Sequence, residues 1–400
     1  MRPEVSGAAR RTTITDVAAA AGVSVGTASK ALNGRGKISA GARSPVSPLP
    51  QSAPRMEPAS MHDVARLAGV STQTVSRALN GHPNVRRDTR VRVLTAAAQL
   101  RFRPNRAARV LRGGRSHTLG VLAVAAGSHY GPTTNIAAFE EAAREHGHGV
   151  IVVRAASASR PAVAAAVREL LGHHVDGALV VAPGAAWLPG LPGLVAHLPV
   201  VAPWCGPQHP ASVMYPSIDQ RAGARQLISH LVALGHRRVL HLAGPAGWDD
   251  AEARLLAYQS ELRLAGLPCL PPLAGDWSAA SGYAAGRALL ERRSGRELGF
   301  SAVFAANDQM ALGLVRALHE AGIEVPRDVS VAGFDDIPQA AYFWPPLTTV
   351  RQDFGELGRR QVAALLAGQD GAADFADGAD GAALEPLLVV RSSVAAAPGG

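Results

Sequence analysis

Three side chains of types that can form hydrogen bonds with nucleic-acid bases lie close together in the first quarter of the chain: Thr72, Gln73 and Arg77. The sequence of Thr72–Leu79 predicts a short helix, and helical spacing places the three on one side of it. A helix of this kind can enter the major groove of DNA and present polar side chains to the base edges. The chemistry that these residues suit is recognition of a base sequence.

A helix and a tight turn position this segment. The first helix is predicted over Asp63–Leu67 and ends at Gly69, whose missing Cβ permits the turn, and Ser71 then supplies a cap oxygen for the next helix. This order is the helix-turn-helix pattern; the alternative is an ordinary helical hairpin with incidental arginines. The side chains predicted to pack inward are Val64, Ala68, Val70 and Val75.

A third helix is predicted over Asp88–Phe102. Apolar residues recur there at roughly helical spacing and would close a three-helix core. They are Val91, Leu94, Ala98 and Leu100. Beyond it, Pro104 stands where a further short helix would begin.

The helix-turn-helix pattern occurs twice. Residues 13–34 (TITDVAAAAGVSVGTASKALNG) match residues 60–81 (SMHDVARLAGVSTQTVSRALNG) at a constant offset. The first copy has Val25-Gly26 in place of Thr72-Gln73, and a Pro/Ser-rich linker replaces its third helix. Three interpretations stay open: an additional weak DNA contact, a degenerate duplicate, or an unused upstream start codon with initiation at Met56.

The charge of the 400-residue chain, +9 overall, is unevenly distributed. Residues 1–118 hold 20 Lys and Arg against 5 Asp and Glu, whereas residues 119–400 hold 20 against 26. The excess at one end favours a polyanionic partner. Arginine supplies nearly all of it, which suits bidentate contacts with phosphate and guanine, although a GC-rich coding bias would also favour arginine.

Cysteine content and hydropathy indicate a cytoplasmic protein without a membrane partner. Cys205 and Cys269 are too few for a disulfide framework. The N-terminus lacks the apolar stretch of a signal peptide. The long uncharged run Gly177–Trp204 contains five prolines and therefore predicts short buried strands joined by loops.

Short apolar strands and alanine-rich helices alternate from Thr118 onward. This alternation predicts parallel sheets with helices on both faces, as two subdomains with a ligand cleft between them. The predicted strands are 119–124, 149–153, 177–181, 199–202, 238–244, 302–307 and 329–334, and the helices between them include Asn135–Gly147, Arg160–Leu171, Ala222–Leu234 and Ala251–Ala265.

Two sets of segments carry a resemblance to a known family. DVARLAGVSTQTVSRALN with the following PN..AR.L, and HLVALGHRRV, AVFAANDQMALG and VSVAGFDDIP in the core, are similar to the LacI/GalR family of bacterial transcriptional repressors. The resemblance implies an α/β fold class: an all-α helix-turn-helix head piece and a two-lobed core like that of periplasmic sugar-binding proteins. The predicted domains are 1–56 (partial duplicate and linker), 57–103 (DNA-binding), 104–117 (hinge helix and linker) and 118–400 (effector-binding and dimerisation).

The resemblance assigns roles in the head piece. Thr72, Gln73 and Arg77 would read base edges, with glutamine suited to adenine and arginine to guanine. The residues expected to hold phosphates are Ser60, His62, Ser71, Asn80, Asn84 and Thr89. A hinge helix over 105–111 would lie in the minor groove, where Leu111 wedges between base steps; its named positions are Asn105, Ala108 and Leu111.

The resemblance also assigns five effector-facing positions: Arg254, Trp277, Asn307, Asp335 and Phe354. Polar groups for hydroxyls and aromatic faces for a pyranose suit a sugar. Asp336 is expected to cap or pair instead. Relatives often carry polar groups where this chain has Val181 and Pro203-Trp204, which favours a more apolar or aryl-bearing effector.

The sequence therefore predicts a homodimeric repressor that binds a pseudo-palindromic double-stranded DNA site and is controlled by a sugar or glycoside. The C-terminus carries no leucine heptad, which favours a dimer over a tetramer. The alternatives are a sugar-binding protein or an enzyme without DNA-binding activity. We expect no enzyme, since no GxSxG, P-loop or HExxH motif is present. No cofactor and no metal are expected, because the His clusters at 146–148 and 173–174 lack a spaced third ligand.

Overall fold

The structure is a computed structural model that describes residues 24–25, 59–79, 82–102, 115–125, 127, 129–184, 190–203, 213–291, 298–369 and 383–397. The chain divides into two compact units, residues 1–105 and 106–400. In the part of the chain described, no helix is both long and apolar enough to cross a membrane.

Within its described residues 59–79 and 82–102, the first unit forms three short helices, α1 (Met61–Ala68), α2 (Thr72–Leu79) and α3 (Arg87–Gln99). A capping box starts α1, in which the Ser60 hydroxyl accepts from the Asp63 N–H and the Asp63 carboxylate accepts from the Ser60 N–H. Gly69 ends α1 with a left-handed φ of 64°, as the tight turn predicts. The helix-turn-helix prediction is thereby confirmed, including the bounds of α2.

The third helix turns a different face to the core from the one predicted. Val91 and Leu94 are 56% and 49% exposed, and Ala98 is exposed as well. The buried residues are Val93, Ala96 and Ala97, with Leu100 packed against them. The two stripes lie on roughly opposite sides of the helix. The inward prediction is therefore wrong for Val91, Leu94 and Ala98 and right for Leu100.

The first lobe of the second unit is a parallel sheet in the order β2-β1-β3-β4, covered by helices. Two of its strands, Thr118–Val124 and Ala178–Val181, are fully buried and almost wholly apolar, as parallel strands covered on both faces require. In chain order its elements are β1 (Thr118–Val124), α4 (Tyr130–Glu145), β2 (Gly149–Ala155), α5 (Arg160–Gly172), β3 (Ala178–Val181), α6 (Leu191–Val195) and β4 (Val200–Val201).

The second lobe repeats this design, with its parallel sheet in the order β6-β5-β7-β8. Its elements are α7 (Gln220–Ala233), β5 (Val239–Ala243), α8 (Asp249–Leu264), β6 (Leu273–Ala274), α9 (Ala279–Glu291), β7 (Ala302–Ala305), α10 (Asp308–Glu320) and β8 (Ser330–Ala332). The two predicted parallel sheets are confirmed. The strand segments predicted from sequence all contain strands, with bounds shifted by a few residues.

The chain passes between the lobes in several places. After β9 (Thr349–Arg351), helix α11 (Phe354–Gln369) returns to the first lobe, where Val362 and Leu365 join its core. Strand β10 (Leu387–Val389) then pairs antiparallel with β9. The crossing segments at 215–219 and 383–386 bond to each other, since the Asp219 N–H donates to the Leu384 carbonyl. The lobes are thus joined by crossing segments that lie side by side, a geometry that permits hinge motion.

Helices α9 and α10 touch backbone to backbone. A Cβ on Gly313 of α10 would overlap the Ala279 carbonyl oxygen, and one on Gly282 of α9 would overlap that of Met310. Any larger residue at either glycine would force the helices apart. This close approach holds the N-terminal part of α10 against α9; α10 begins at Asp308, directly after its cap residue Asn307.

Candidate functional site

The predicted base-reading side chains lie together on α2. Gln73 and Arg77 are exposed and Thr72 is half-buried, whereas Val75 on the opposite side is fully buried in the three-helix core. The Ser71 hydroxyl lies 3.2 Å from the Thr74 N–H as the cap of α2. The helix therefore presents amide and guanidinium groups outward from a packed support.

The residues predicted to hold phosphates are distributed around this unit. Ser60 and His62 are exposed at the start of α1, and Asn84 is exposed in the turn before α3. Thr89, in the first turn of α3, is half-buried. Ser60 and Ser71 lie at helix N-termini, where free backbone N–H groups favour anions. The remaining predicted contacts lie outside the described residues: Asn80, Asn105, Ala108 and Leu111.

All five predicted effector residues line one pocket between the two lobes of the core. The second lobe contributes Arg254, Trp277, Asn307 and Asp335, while Phe354 starts the helix that returns to the first lobe. The structure thus brings together residues that are as far as 100 positions apart in sequence. Trp277, Asn307 and Asp335 meet because each follows a strand at the carboxyl edge of the parallel sheet of the second lobe. Arg254 joins them from the second turn of α8, and Phe354 from the start of α11.

Four buried side chains form a ring in this pocket, linked by hydrogen bonds and closed by an ion pair, which we call the Arg–Gln–Gln–Asp ring: Arg254, Gln220, Gln352 and Asp335. Arg254 donates to Gln220 Oε1 from Nε at 3.0 Å and from Nη2 at 2.8 Å. Gln220 Nε2 donates to Gln352 Oε1 at 2.8 Å, and Gln352 Nε2 donates to Asp335 Oδ1 at 2.7 Å. The Arg254–Asp335 ion pair closes the ring at 3.7 Å.

Aromatic rings line the same pocket from both lobes. Trp248 lies edge-on to Trp277, with centroids 5.8 Å apart, and edge-on to His129 of the first lobe at 5.3 Å. Tyr130, also from the first lobe, lies edge-on to Phe354 at 6.1 Å. Aromatic faces of this kind pack well on the C–H groups of a sugar or on an aryl ring.

Asn307 is already engaged by the protein. Its Oδ1 accepts from the Met310 N–H as the cap of α10, and its Nδ2 donates to the Trp277 carbonyl at 3.0 Å. Trp277 has a left-handed φ of 74°, which is unfavourable for a residue with a Cβ. A Cβ on Gly244 would overlap the indole, so only glycine leaves room for it. The hydrogen bond from Asn307 therefore holds the backbone of Trp277, and Gly244 leaves the space that its indole ring occupies.

Burial dominates the electrostatics of the pocket. It raises the pKa of Asp335 to about 6, against the opposing effects of the Arg254 charge and the Gln352 hydrogen bond. Burial also raises the pKa of Asp308 well above its usual range, and the neighbouring Asp335 charge adds to this. Asp308 accepts from the Thr349 hydroxyl at 2.5 Å and from the Ile337 N–H at 2.8 Å. It therefore fastens α10 to the segments that follow β8.

Asp336 forms ion pairs, as predicted. Its carboxylate lies 2.7 Å from Arg351 and 2.7 Å from Arg391. Asp335 and Asp336 both have positive φ values, 112° and 51°. This turn directs one carboxylate into the pocket and the other toward two arginines.

Comparison with known protein families finds a match for each of the two units. The family description "Bacterial regulatory proteins, lacI family" matches residues 60–105 and also residues 13–47, and "Periplasmic binding protein-like domain" matches residues 228–394. The chain is 34% identical over 312 residues to the lactose operon repressor of Escherichia coli (strain K12), covering 78% of this chain and 83% of that protein. The chain belongs to the LacI family of bacterial regulatory proteins.

Solved structures show a likeness of fold over most of the chain. The lac repressor dimer bound to operator and the anti-inducer ONPF matches with a TM-score of 0.75 at 34% identity, covering 85% of this chain and 100% of that one. The complex of the transcriptional regulator CelR with cellobiose matches with a TM-score of 0.61 at 31% identity, covering 84% and 99%. The predicted family and fold class are confirmed. The duplicate helix-turn-helix at residues 13–34 stays a prediction, because these residues lie almost entirely outside the described part.

Sequence reasoning missed several pocket residues of this LacI-family protein. Gln220 and Gln352, which complete the ring, were not predicted, nor was Trp248. A usable signal existed for Trp248, since it follows β5 by a few residues and therefore lies at the carboxyl edge of the sheet. The glutamines give no such signal, because their pairing depends on how the crossing segments meet.

Part of the first-lobe wall of this LacI-family pocket is apolar. Val181 and Pro203, where the resemblance leads us to expect polar groups, both line it, as do Ala182 and Pro183. Among the described residues, no group of three or more His, Cys, Asp and Glu is arranged to hold a metal ion. The pocket therefore presents the Arg–Gln–Gln–Asp ring from the second lobe, and from the first lobe an apolar patch beside the polar side chains of His129, Tyr130 and Asn135.

Proposed function

We propose that this chain is a sequence-specific, DNA-binding transcriptional repressor whose affinity for its operator is controlled by a carbohydrate-like effector. One observation carries the proposal: a single LacI-family chain has both an outward-facing polar helix, α2, and an interlobe pocket that contains the Arg–Gln–Gln–Asp ring. Helix α2 binds DNA, and the interlobe pocket binds the effector, in the cytoplasm.

The DNA-binding part of the proposal rests on the head piece. Thr72, Gln73 and Arg77 read bases in the major groove, with Arg77 suited to guanine and Gln73 to adenine. The lac repressor structure cited above is a dimer on operator DNA. We infer a homodimer here too, which binds two half-sites of a pseudo-palindrome. In the proposed domain division, residues 104–117 form the hinge between residues 57–103 and the core.

The effector part of the proposal rests on the asymmetry of the pocket. The Arg–Gln–Gln–Asp ring provides donors and an acceptor for hydroxyl groups, and Trp277 and Phe354 provide aromatic faces. The apolar wall that includes Val181 and Pro203 suits an apolar or aryl group. The effector class that fits both is a glycoside whose sugar ring faces the second lobe.

Selection of DNA sites with the purified full chain tests the proposal. We expect a palindromic site to be enriched, and fluorescence anisotropy on it should show release by a member of a panel of free sugars and matched aryl glycosides. Arg77→Ala is the control, expected to lose specific DNA binding while keeping effector-induced tryptophan quenching. Failure to enrich any sequence, together with retained sugar binding, would favour a sugar-binding protein without DNA-binding activity.

A further inference from the structure

The Arg–Gln–Gln–Asp ring lies where the chain crosses between the lobes. Gln220 directly follows the crossing at 215–219 and is the first residue of α7 in the second lobe. Gln352 lies between β9 of the second lobe and α11, which packs in the first lobe. Their side chains are 5% and 7% exposed and bond to each other across 132 positions of sequence. One hydrogen bond therefore ties two interlobe crossings together.

Chemistry fixes the direction of the ring. A guanidinium only donates hydrogen bonds, so Gln220 must turn its carbonyl oxygen to Arg254 and its NH₂ to Gln352. An ionised carboxylate only accepts, so Gln352 must turn its NH₂ to Asp335 and its carbonyl oxygen to Gln220. Neither amide can rotate alone without facing donor to donor or acceptor to acceptor. The two glutamines therefore respond as a unit to any change at either end.

We propose that Gln220 and Gln352 are positioning residues that couple effector binding at Arg254 and Asp335 to the angle between the lobes. The proposal rests on the proposed function for the effector itself. Effector hydroxyls compete for the same donors and acceptor that close the ring, and a ligand shifts an equilibrium by its different affinity for two arrangements. Because the glutamines stand at the crossings, rearrangement of the ring moves the segments about which the lobes turn.

The coupling is tested by measuring the distance between the two lobes in the full chain, without DNA or effector. Spin labels are attached to Glu169→Cys on α5 and Ala288→Cys on α9, both exposed, after Cys205 and Cys269 are changed to serine. We expect Gln220→Leu and Gln352→Leu each to broaden or shift the distance distribution. The double variant should match either single one, because a relay is lost when either member is lost. Unchanged distributions in the single variants, or strictly additive shifts, would overturn the proposal.

A charge relocation separates the relay from a merely structural role. Gln352→Glu places a second carboxylate beside Asp335 and removes the donor to it, so the distribution should broaden. Adding Asp335→Asn restores a donor–acceptor match, since the amide introduced at position 335 can donate to the carboxylate introduced at position 352 while the ring keeps one negative charge. The double variant should recover the wild-type distance. Failure to recover it, in a protein that still folds, would overturn the proposal.

Gln361 provides the matched control. It is a fully buried glutamine on α11, and its amide forms no hydrogen bond with the described residues. Gln361→Leu should leave the distance between the lobes unchanged. A change equal to that of Gln352→Leu would show that the loss of any buried glutamine alters this distance, and would overturn the relay.

With DNA added, Gln352→Leu should reduce the ratio of operator affinities without and with effector at least fivefold. An unchanged ratio would overturn the coupling, whereas a wild type that binds no DNA would refute the proposed function and leave the distance measurement valid.

Discussion

The head piece and the interlobe pocket use their predicted binding residues in opposite ways. In the head piece, Gln73 and Arg77 extend outward from α2, and packing is left to residues such as Val75 on the other side. In the pocket, Arg254 and Asp335 are 3% and 6% exposed and belong to a closed ring. Side chains that face outward can be exchanged without rebuilding the fold. Side chains in the ring also hold the fold together, so their binding role and their structural role cannot be altered separately.

The difference follows from the two kinds of ligand. Double-stranded DNA is a large surface that meets a protruding helix, so the reading groups need no enclosure. A small effector gains affinity by being enclosed, and a buried charge must then be paired and hydrogen-bonded by the protein before the effector arrives. Variants in the two regions should therefore divide into those that change binding alone and those that change binding and stability together.

Arg254→Ala should give the largest effect. It leaves Asp335 without its ion pair and Gln220 Oε1 without a donor, and breaking a buried pair in this way costs about 3–5 kcal/mol. Urea unfolding followed by tryptophan fluorescence measures this cost for the core alone, because all five tryptophans lie between positions 187 and 344. Arg316→Ala is the matched control: Arg316 pairs with Glu320 on the surface of α10, and its loss should change stability by less than about 0.5 kcal/mol. A similar loss in both variants would contradict the distinction.

The pH dependence of stability should depend on Asp335. Burial raises its pKa from 3.8 to about 6, so the folded protein holds this proton more tightly than the unfolded chain. The resulting contribution to the free energy of unfolding is present below about pH 4 and is lost as the pH rises to about 6. Relative to Asp335→Asn, the wild type should therefore lose up to roughly 3 kcal/mol across this range. Urea unfolding of both proteins at several pH values measures the difference, and a constant difference would show that Asp335 titrates as an exposed carboxylate.

The sequence predicted the fold better than it predicted the roles of single residues. Alternating apolar strands and helices located both parallel sheets, because strands buried on two faces leave an unmistakable run of apolar residues. The same reasoning chose the wrong face of α3, where small alanines pack inward and Val91 and Leu94 remain exposed. The buried stripe contains Val93 as well as Ala96 and Ala97, so apolar size alone does not identify the buried face of a short helix.

The candidate site was also predicted unevenly. The resemblance located five residues that the structure gathers in one pocket, but it could not indicate that Asn307 already caps α10 and holds Trp277. It omitted Gln220 and Gln352, whose contact exists only because two crossing segments meet. Local sequence carries information about helices and strands, whereas contacts between crossings depend on the assembled fold.

Arg77→Ala tests the head-piece side of the comparison. Because Arg77 is exposed on α2, its loss should leave thermal and urea unfolding unchanged while weakening specific DNA binding by about 1–3 kcal/mol, which is roughly 5- to 150-fold. Anisotropy titrations on the selected site and on a scrambled site measure the affinity and the specificity. Arg66→Ala removes the same charge from the exposed end of α1 and should weaken both sites alike. Equal losses for the two variants on both sites would assign Arg77 to phosphate binding.

Ser60→Ala should give the smallest effect and mark the boundary of the comparison, since Ser60 is a predicted phosphate contact that also caps α1. Its hydroxyl accepts from the Asp63 N–H, and loss of such a cap costs about 1 kcal/mol. Hydrogen exchange at α1 should therefore become roughly fivefold faster, while exchange in β1 and β5 of the core stays unchanged because they belong to the other compact unit. Unchanged exchange in α1 together with weakened DNA binding would make Ser60 a pure contact residue like Arg77. Faster exchange with unchanged DNA binding would make it a cap alone, and would remove one of the phosphate contacts that the resemblance implies.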